Sequence, residues 1–308
     1  MATPAGSPTT VTSISNLVQT AYDQYVRMAL RSIPVMRAIA DVKPVQQAMP
    51  GSSVVFSIYS DLSAATSTLT ETSDVSSIAL GNPSQVTVTL QEYGSAVTTT
   101  KKLSLTSFND VDSALADIIA YNAADSIDSI VASVLTGGTN VIYAGTATNR
   151  AGISSTMTIS VADIREAVTQ LRSNKALPRI GELYAAYLHP RQSADLRAES
   201  GTGGFQELTK YVERTPFVAG AVGVIEGAFV VETPRVPSVA STTTVYQGVV
   251  AGREALAEAM AQDISTVIGP EIDALRRFRT IGWYYMGGFA RLREAALYRI
   301  ESATSISA

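Results

Sequence analysis

Residues 49–94 constrain this chain more than any other stretch. GSSVVFSIY and SQVTVTLQEY alternate apolar and polar residues as strands do. Between them lies SDLSAATSTLTETSDVSSIALGNP, about two dozen small and polar residues. A compact domain rarely carries so long a loop without structure of its own. Two strands around such a tip predict a long β-hairpin leaving the body. A two-stranded hairpin is marginal in water by itself, so this arm needs something to lie on. No Lys or Arg occurs between Lys43 and Lys101, whereas Asp61, Glu71, Asp74 and Glu92 do. The arm is acidic as well as extended.

A long helix follows, in SFNDVDSALADIIAYNAADSIDSIVASVLTGG, residues 107–138. Ser107, Asn109 or Asp110 can cap its start, and Gly137-Gly138 can end it. Val111, Leu115, Ile118, Ile119, Ile127, Ile130 and Val134 form a broad apolar face. At ~27 residues the helix is ~40 Å long. Asp110, Asp117 and Asp128 align on the other side, with Asp125 nearby, and no basic residue occurs in the helix. Such a stripe reads as a solvated acidic face or as one that meets a neighbour's arginines. Carboxylates at this spacing also suit a divalent cation, although dedicated Ca²⁺ sites use loops.

The remaining segments are shorter. An amphipathic helix is expected from about Ile14 to Ala40, interrupted by Pro34. Residues 159–254 read as a mixed α/β unit. SVADIREAVTQLRSNK is a helix capped by Ser160, ELYAAYLHP a strand, PRQSADLRAES a short helix, and GAFVVETP and TTVYQGVVAG strands. REALAEAMA has helix-forming composition. LRRFRTIGWYYMGG and ALYRIESA are expected strands, with Gly287-Gly288 as a hairpin turn and Trp283 as a large packing group. Arg276, Arg277 and Arg279 form a basic cluster. It reads either as a solvated strand edge or as the partner of the acidic arm, supplied by another copy.

Composition narrows the function. Only 16% of the 308 residues are charged, well below the usual quarter. Either other subunits cover much of the surface, or Ser and Thr make it polar. A net charge of −4 carries no general nucleic-acid footprint. The absence of cysteine removes disulfides, thiolate metal sites and thiol nucleophiles. The single histidine, His189, stands at a strand end before Pro190 and reads as a turn residue bonded to nearby backbone. GTGGF, residues 201–205, lacks phosphate-loop spacing and reads as a surface loop. MATPAGSPTTVTSISN has no secretory pattern, and no apolar run approaches the ~20 residues of a membrane span. These features lead to the expectation of a soluble protein made in a cytoplasm, without catalytic, cofactor or metal residues.

The order of the pieces carries a resemblance. LTETSDV (69–75) leads through VTVTLQEYGSAVTTTKKLSLTSF (86–108) to IDSIVASVLTGGTNVIYAG (127–145). YLHPRQSADLR (187–197), AVGVIEGAFVVETPRVP (221–237) and RTIGWYYMGGFARL (279–292) follow. In this order they resemble the major capsid proteins of tailed bacteriophages, which have the HK97-like fold. The likeness covers most of residues 69–300, while the first 50 residues match in character more than in letters.

The resemblance implies an α+β chain with an N-terminal arm (1–48) and an extended β-hairpin loop (49–94). It implies a peripheral domain (95–158 and 255–308) with the long helix as its spine, and an axial α/β domain (159–254). It implies a structural protein that self-assembles, as pentamers and hexamers, into an icosahedral shell around double-stranded DNA bound non-specifically. The implied partners are a separate scaffolding protein, a portal and a decoration protein, with no membrane. The place is the virion, after assembly in the host cytoplasm. Glu71, Asp74, Arg276, Arg277, Arg279 and Trp283 are the candidate inter-subunit contacts. Asp110, Asp117 and Asp128 are the candidate interior acidic face. An encapsulin-type compartment, a surface-array subunit and an α/β enzyme are the alternatives.

Overall fold

The computed structural model describes residues 33–44, 52–69, 71–72, 74–75, 77–106, 111–199, 221–271 and 273–306. Most of the expected Ile14–Ala40 helix, the 201–205 loop, Asp110 and the proposed caps Ser107 and Asn109 lie outside the described residues. The described end of that helix is instead a 3₁₀ turn, Met36–Ile39, running into β1 (Ala40–Pro44).

The expected hairpin is present. β2 (Ser53–Ile58) pairs antiparallel with β3 (Ser84–Thr89), from Ser53 opposite Thr89 to Ile58 opposite Ser84. No helix or strand occurs between Ile58 and Ser84 among the described residues. β4 (Gln91–Thr100) continues into α1 (Lys101–Thr106). The long helix α2 (Val111–Thr136) has 26 residues, about 39 Å. β5 (Val141–Tyr143) follows, then α3 (Val161–Ser173), β6 (Tyr184–Leu188) and α4 (Pro190–Ala198). β7 (Ala221–Ile225), β8 (Ala228–Glu232), β9 (Ser238–Ala240) and β10 (Thr244–Ala251) complete the middle of the chain. The last elements are β11 (Leu256–Ile268), β12 (Phe278–Arg291) and β13 (Leu297–Ser302).

Two larger sheets result. One has the order β1-β11-β12-β4. The other has seven strands in the order β5-β13-β10-β6-β8-β7, with β9 also on β10. α2 lies on the first: Leu115, Ile119, Ala123 and Ile127 pack on Ile281, Trp283 and Tyr285. α3 lies on the second, through Ile164, Val168 and Leu171 against Ala186, Leu188, Val230 and Val250. A third cluster joins the two and contains Met36, Ile39, Val131, Leu135, Tyr187, Val249 and Leu256.

Caps and charges finish the helices. The Ser160 hydroxyl accepts from the Asp163 N–H while the Asp163 carboxylate accepts from the Ser160 N–H, a reciprocal capping box. At the C-terminus of α2, Arg299 donates to the carbonyls of Thr136 and Gly138, and Arg291 to that of Val134. Cations at that end satisfy orphan carbonyls and oppose the negative pole of the helix dipole.

Several expectations are corrected. REALAEAMA enters β11 at Leu256 rather than forming a helix. Its helix propensity amounts to a few tenths of a kcal/mol per residue. Strand partners on both sides, β1 and β12, outweigh it. Gly287 and Gly288 are not a turn; they sit inside β12 opposite Met260 and Ala259. A Cβ on Gly288 would fall 2.2 Å from the Thr89 carbonyl oxygen, and one on Gly287 2.3 Å from the Tyr285 hydroxyl. Gly288 lets the root of the hairpin cross close over β12, and Gly287 leaves room for the Tyr285 ring. The expected division of the chain is cut by strand pairing as well: β5 and β13 belong with β10 in the seven-stranded sheet. β13 is buried along nearly its whole length and needs a neighbour on each side.

On α2, Ile118, on the expected apolar face, is 46% exposed, whereas Asp128, on the expected acidic side, is 1% exposed. By length and composition Leu115–Thr136 is apolar enough to cross a membrane, contrary to the expectation that no run comes near. That apolarity covers the four-stranded sheet instead.

Candidate functional site

The candidate contact residues fall into three environments. Glu71 and Asp74 are exposed on the hairpin tip. Arg276, Arg277 and Arg279 are exposed at the start of β12, where Arg277 pairs with Asp273 at 2.6 Å and stacks on Phe278. The hairpin root meets β12 at Gly288, nine residues from Arg279, or about 30 Å of strand. Trp283 is different: it is 5% exposed, and its indole N–H donates to Asn122 Oδ1 of α2 at 2.8 Å. This corrects its place among the inter-subunit contacts, because its own spine helix covers it.

The acidic stripe divides too. Asp117 is exposed on α2. Asp128 is not part of any solvated face, since the Met36–Ile39 turn crosses α2 there. The Met36 and Arg37 N–H groups donate to Asp128 Oδ1 at 2.6 and 3.2 Å. Burial raises the pKa of Asp128, partly offset by these N–H groups.

Around Asp128 lies a charged junction that sequence reasoning missed. Glu258 of β11 is fully buried. Arg37 grips it with Nε (3.1 and 3.2 Å) and a terminal nitrogen (2.6 Å), and also reaches Asp263 at 3.1 Å. The Tyr285 hydroxyl donates to Glu258 at 2.8 Å. Burial and the Glu258 carboxylate push the Tyr285 hydroxyl well above its usual value. Burial opposes the charge on Arg37, but its bond to Glu258 prevails and holds it more firmly protonated. From the segment between β8 and β9, Arg235 pairs with Asp125 and donates to Tyr121 of α2 at 3.2 Å. The one available signal was the alternation in ALAEAMA, which puts a glutamate on a strand face between Leu256 and Met260.

No catalytic constellation accompanies this junction. His189 is a cap: its Nδ1 accepts from the Arg191 N–H at 3.2 Å, and its ring lies 4.4 Å from that of Tyr246. Burial and the nearby Arg191 charge lower its pKa, which keeps Nδ1 an acceptor. Among the described residues no group of three or more histidines and carboxylates could hold a metal ion.

The comparisons decide between the classes. The family model for phage capsid protein matches residues 8–306. This chain belongs to the phage capsid protein family. The capsid chain is therefore a structural subunit of a phage head shell and not an enzyme. Solved capsids share its fold. A chain from the capsid structure of cyanophage P-SCSP1u superposes with a TM-score of 0.74 at 18% identity, over 98% of this chain and 99% of that one. The capsid of Ralstonia phage GP4 gives 0.74 at 15% identity, over 95% and 97%. The head of Helicobacter pylori bacteriophage KHP40 gives 0.69 at 14% identity, over 96% and 97%. The fold is thus HK97-like. No curated protein matches by sequence.

Proposed function

We propose that this capsid chain builds an icosahedral head of pentamers and hexamers around double-stranded DNA, and that the β2–β3 tip of each copy lies on another. One observation carries this: Tyr59, Leu62, Leu69, Val75, Ile78 and Leu80 are 58–75% exposed around the tip. Covering such side chains contributes roughly 1.5–3 kcal/mol each. Ordering the chain costs about 1–2 kcal/mol per residue. The net per contact is small, so the tips hold through many copies at once.

The charge pattern supports the direction of docking. Glu71 and Asp74 meet the Arg276, Arg277 and Arg279 cluster of a neighbour, with the Arg277–Asp273 pair exchanging or sharing its partner. The four-stranded sheet with α2 forms the peripheral part, and the seven-stranded sheet with α3 and α4 the axial part. Asp117 faces the interior, where phosphate finds little to bind. A separate scaffolding protein, a portal and a decoration protein complete the head, which assembles in the host cytoplasm.

The test is a triple substitution, Leu69→Ser, Ile78→Ser and Leu80→Ser, in particles imaged by electron microscopy. The expected result is folded, unassembled subunits. Normal shells would overturn the role of the tip. Purified parent particles are expected to hold nuclease-protected double-stranded DNA; an enzyme cargo in its place would refute the DNA assignment. Reversing Arg276 and Arg279 to Glu should weaken shells, and adding Glu71→Arg and Asp74→Arg should restore them in part.

A further inference from the structure

Three structural units meet at six consecutive residues. Met36 and Arg37 offer their N–H groups to Asp128 of α2. The Arg37 side chain holds Glu258 and Asp263 of β11. Arg179, between α3 and β6, donates to the Ala38 and Ala40 carbonyls at 3.0 and 3.1 Å and to the Asp41 carboxylate at 2.5 Å. The other Asp41 oxygen accepts from the Glu254 N–H at 2.8 Å, between β10 and β11. Met36 and Ile39 are 0% and 1% exposed, in the cluster shared by α2, β6, β10 and β11.

The polar bonds at both ends of this segment use its backbone, N–H groups at Met36 and Arg37 and carbonyls at Ala38 and Ala40. Its backbone as well as its side chains therefore joins the units. Asp128 is also a poor choice for stability alone: its second oxygen, Oδ2, is buried without a hydrogen bond and lies 3.7 Å from Arg235 Nε. A buried carboxylate left half-satisfied is a liability unless its position matters. Without the segment, Asp128 and Glu258 would lose their main partners, so the joint needs the segment in place.

We propose that Met36–Asp41 is a clasp that sets, within each single chain, the angle between the two large sheets, with Asp128 as the positioning residue. Because this angle is repeated in every copy of the shell, the clasp also controls shell curvature. That last step rests on the shell function; the clasp itself does not.

Amide hydrogen exchange on the unassembled full chain tests the clasp directly. Asp128→Ala removes the acceptor for two N–H groups, and exchange across residues 36–43 is expected to rise about tenfold or more. Asp128→Asn keeps an acceptor oxygen and is expected to exchange like the parent. Arg179→Ala, which leaves Asp128 intact, is expected to speed the same amides and serves alone if Asp128→Ala does not fold. Parental protection of residues 36–43 in Arg179→Ala, or in a folded Asp128→Ala, would overturn the clasp. Cryo-EM of shells assembled from Arg179→Ala is expected to show a broadened spread of diameters. A spread as narrow as the parent's, with exchange raised, would overturn the control of curvature and leave the shell function standing.

Discussion

Arg37→Met measures what the N-terminal segment contributes to the four-stranded sheet. In the parent, Glu258 is fully buried and Arg37 contacts it at 2.6 Å, with the Arg37 side chain 31% exposed. Removing one member of a fully buried pair costs about 3–5 kcal/mol, mostly the penalty of the charge left behind. The partial exposure of Arg37 lets water reach the gap, which reduces the loss to about 2–3 kcal/mol. The remaining Tyr285 hydroxyl, 2.8 Å from Glu258, cannot neutralise the carboxylate. For a chain of this size, about 2 °C per kcal/mol places the fall in Tm at roughly 4–6 °C. Thermal unfolding of the unassembled chain by circular dichroism reads it. The double variant Arg37→Met, Glu258→Leu removes both charges and is expected to recover about half of the loss, the unrecovered part being about 1 kcal/mol for the orphaned tyrosine hydroxyl. A single variant within about 0.5 kcal/mol of the parent would refute the reasoning. So would a double variant that loses as much as the two single variants added together, since that means no coupling.

Three further outcomes are expected. His189, the only histidine, should titrate in its NMR signals below 6.5, because burial and Arg191 disfavour its charged form; a midpoint above 6.5 would contradict the cap. Burial alone would raise the pKa of Glu301, but bonds from Arg150 and Gln247 and the Arg299 charge hold it below the usual 4.5. Its contribution is thus complete above pH 4.5 and lost as pH falls through the lower folded value. Glu301→Gln should flatten the loss of Tm below that pH, and an unchanged acid limb would argue against the pairing. Gly288→Ala places a methyl against the Thr89 carbonyl oxygen and should cost about 1–3 kcal/mol. Chymotrypsin should then cut sooner at Phe56 and Tyr59, whereas Gly81→Ala, with nothing within 4 Å of the added carbon, should leave digestion unchanged.

What was legible in the chain was local. The two alternating segments specify β2 and β3, because a period of two with a polar run between them leaves few options. The long apolar period and the absence of proline specify α2. Ser160 with Asp163 and His189 before Pro190 mark helix starts, since a cap bonds within three residues of itself. The order of these pieces sufficed to suggest the phage capsid family, which the match over residues 8–306 then established.

Tertiary structure decided whatever depends on distant partners. Arg37 and Glu258 are 221 residues apart and Met36 and Asp128 are 92 apart. No local period marks either pairing. REALAEAMA carries helical residues, but a place between β1 and β12 makes it a strand. Gly287 and Gly288 carry the signature of a turn, yet they are glycines because a Cβ would meet the Tyr285 ring at one and the crossing Thr89 backbone at the other. Asp128 looks solvated in the helix pattern and is buried because a remote turn needs its oxygen. Propensity and periodicity act over a few residues and belong to the sequence alone. Burial, strand partners and close approach are properties of what a residue meets once the chain has folded.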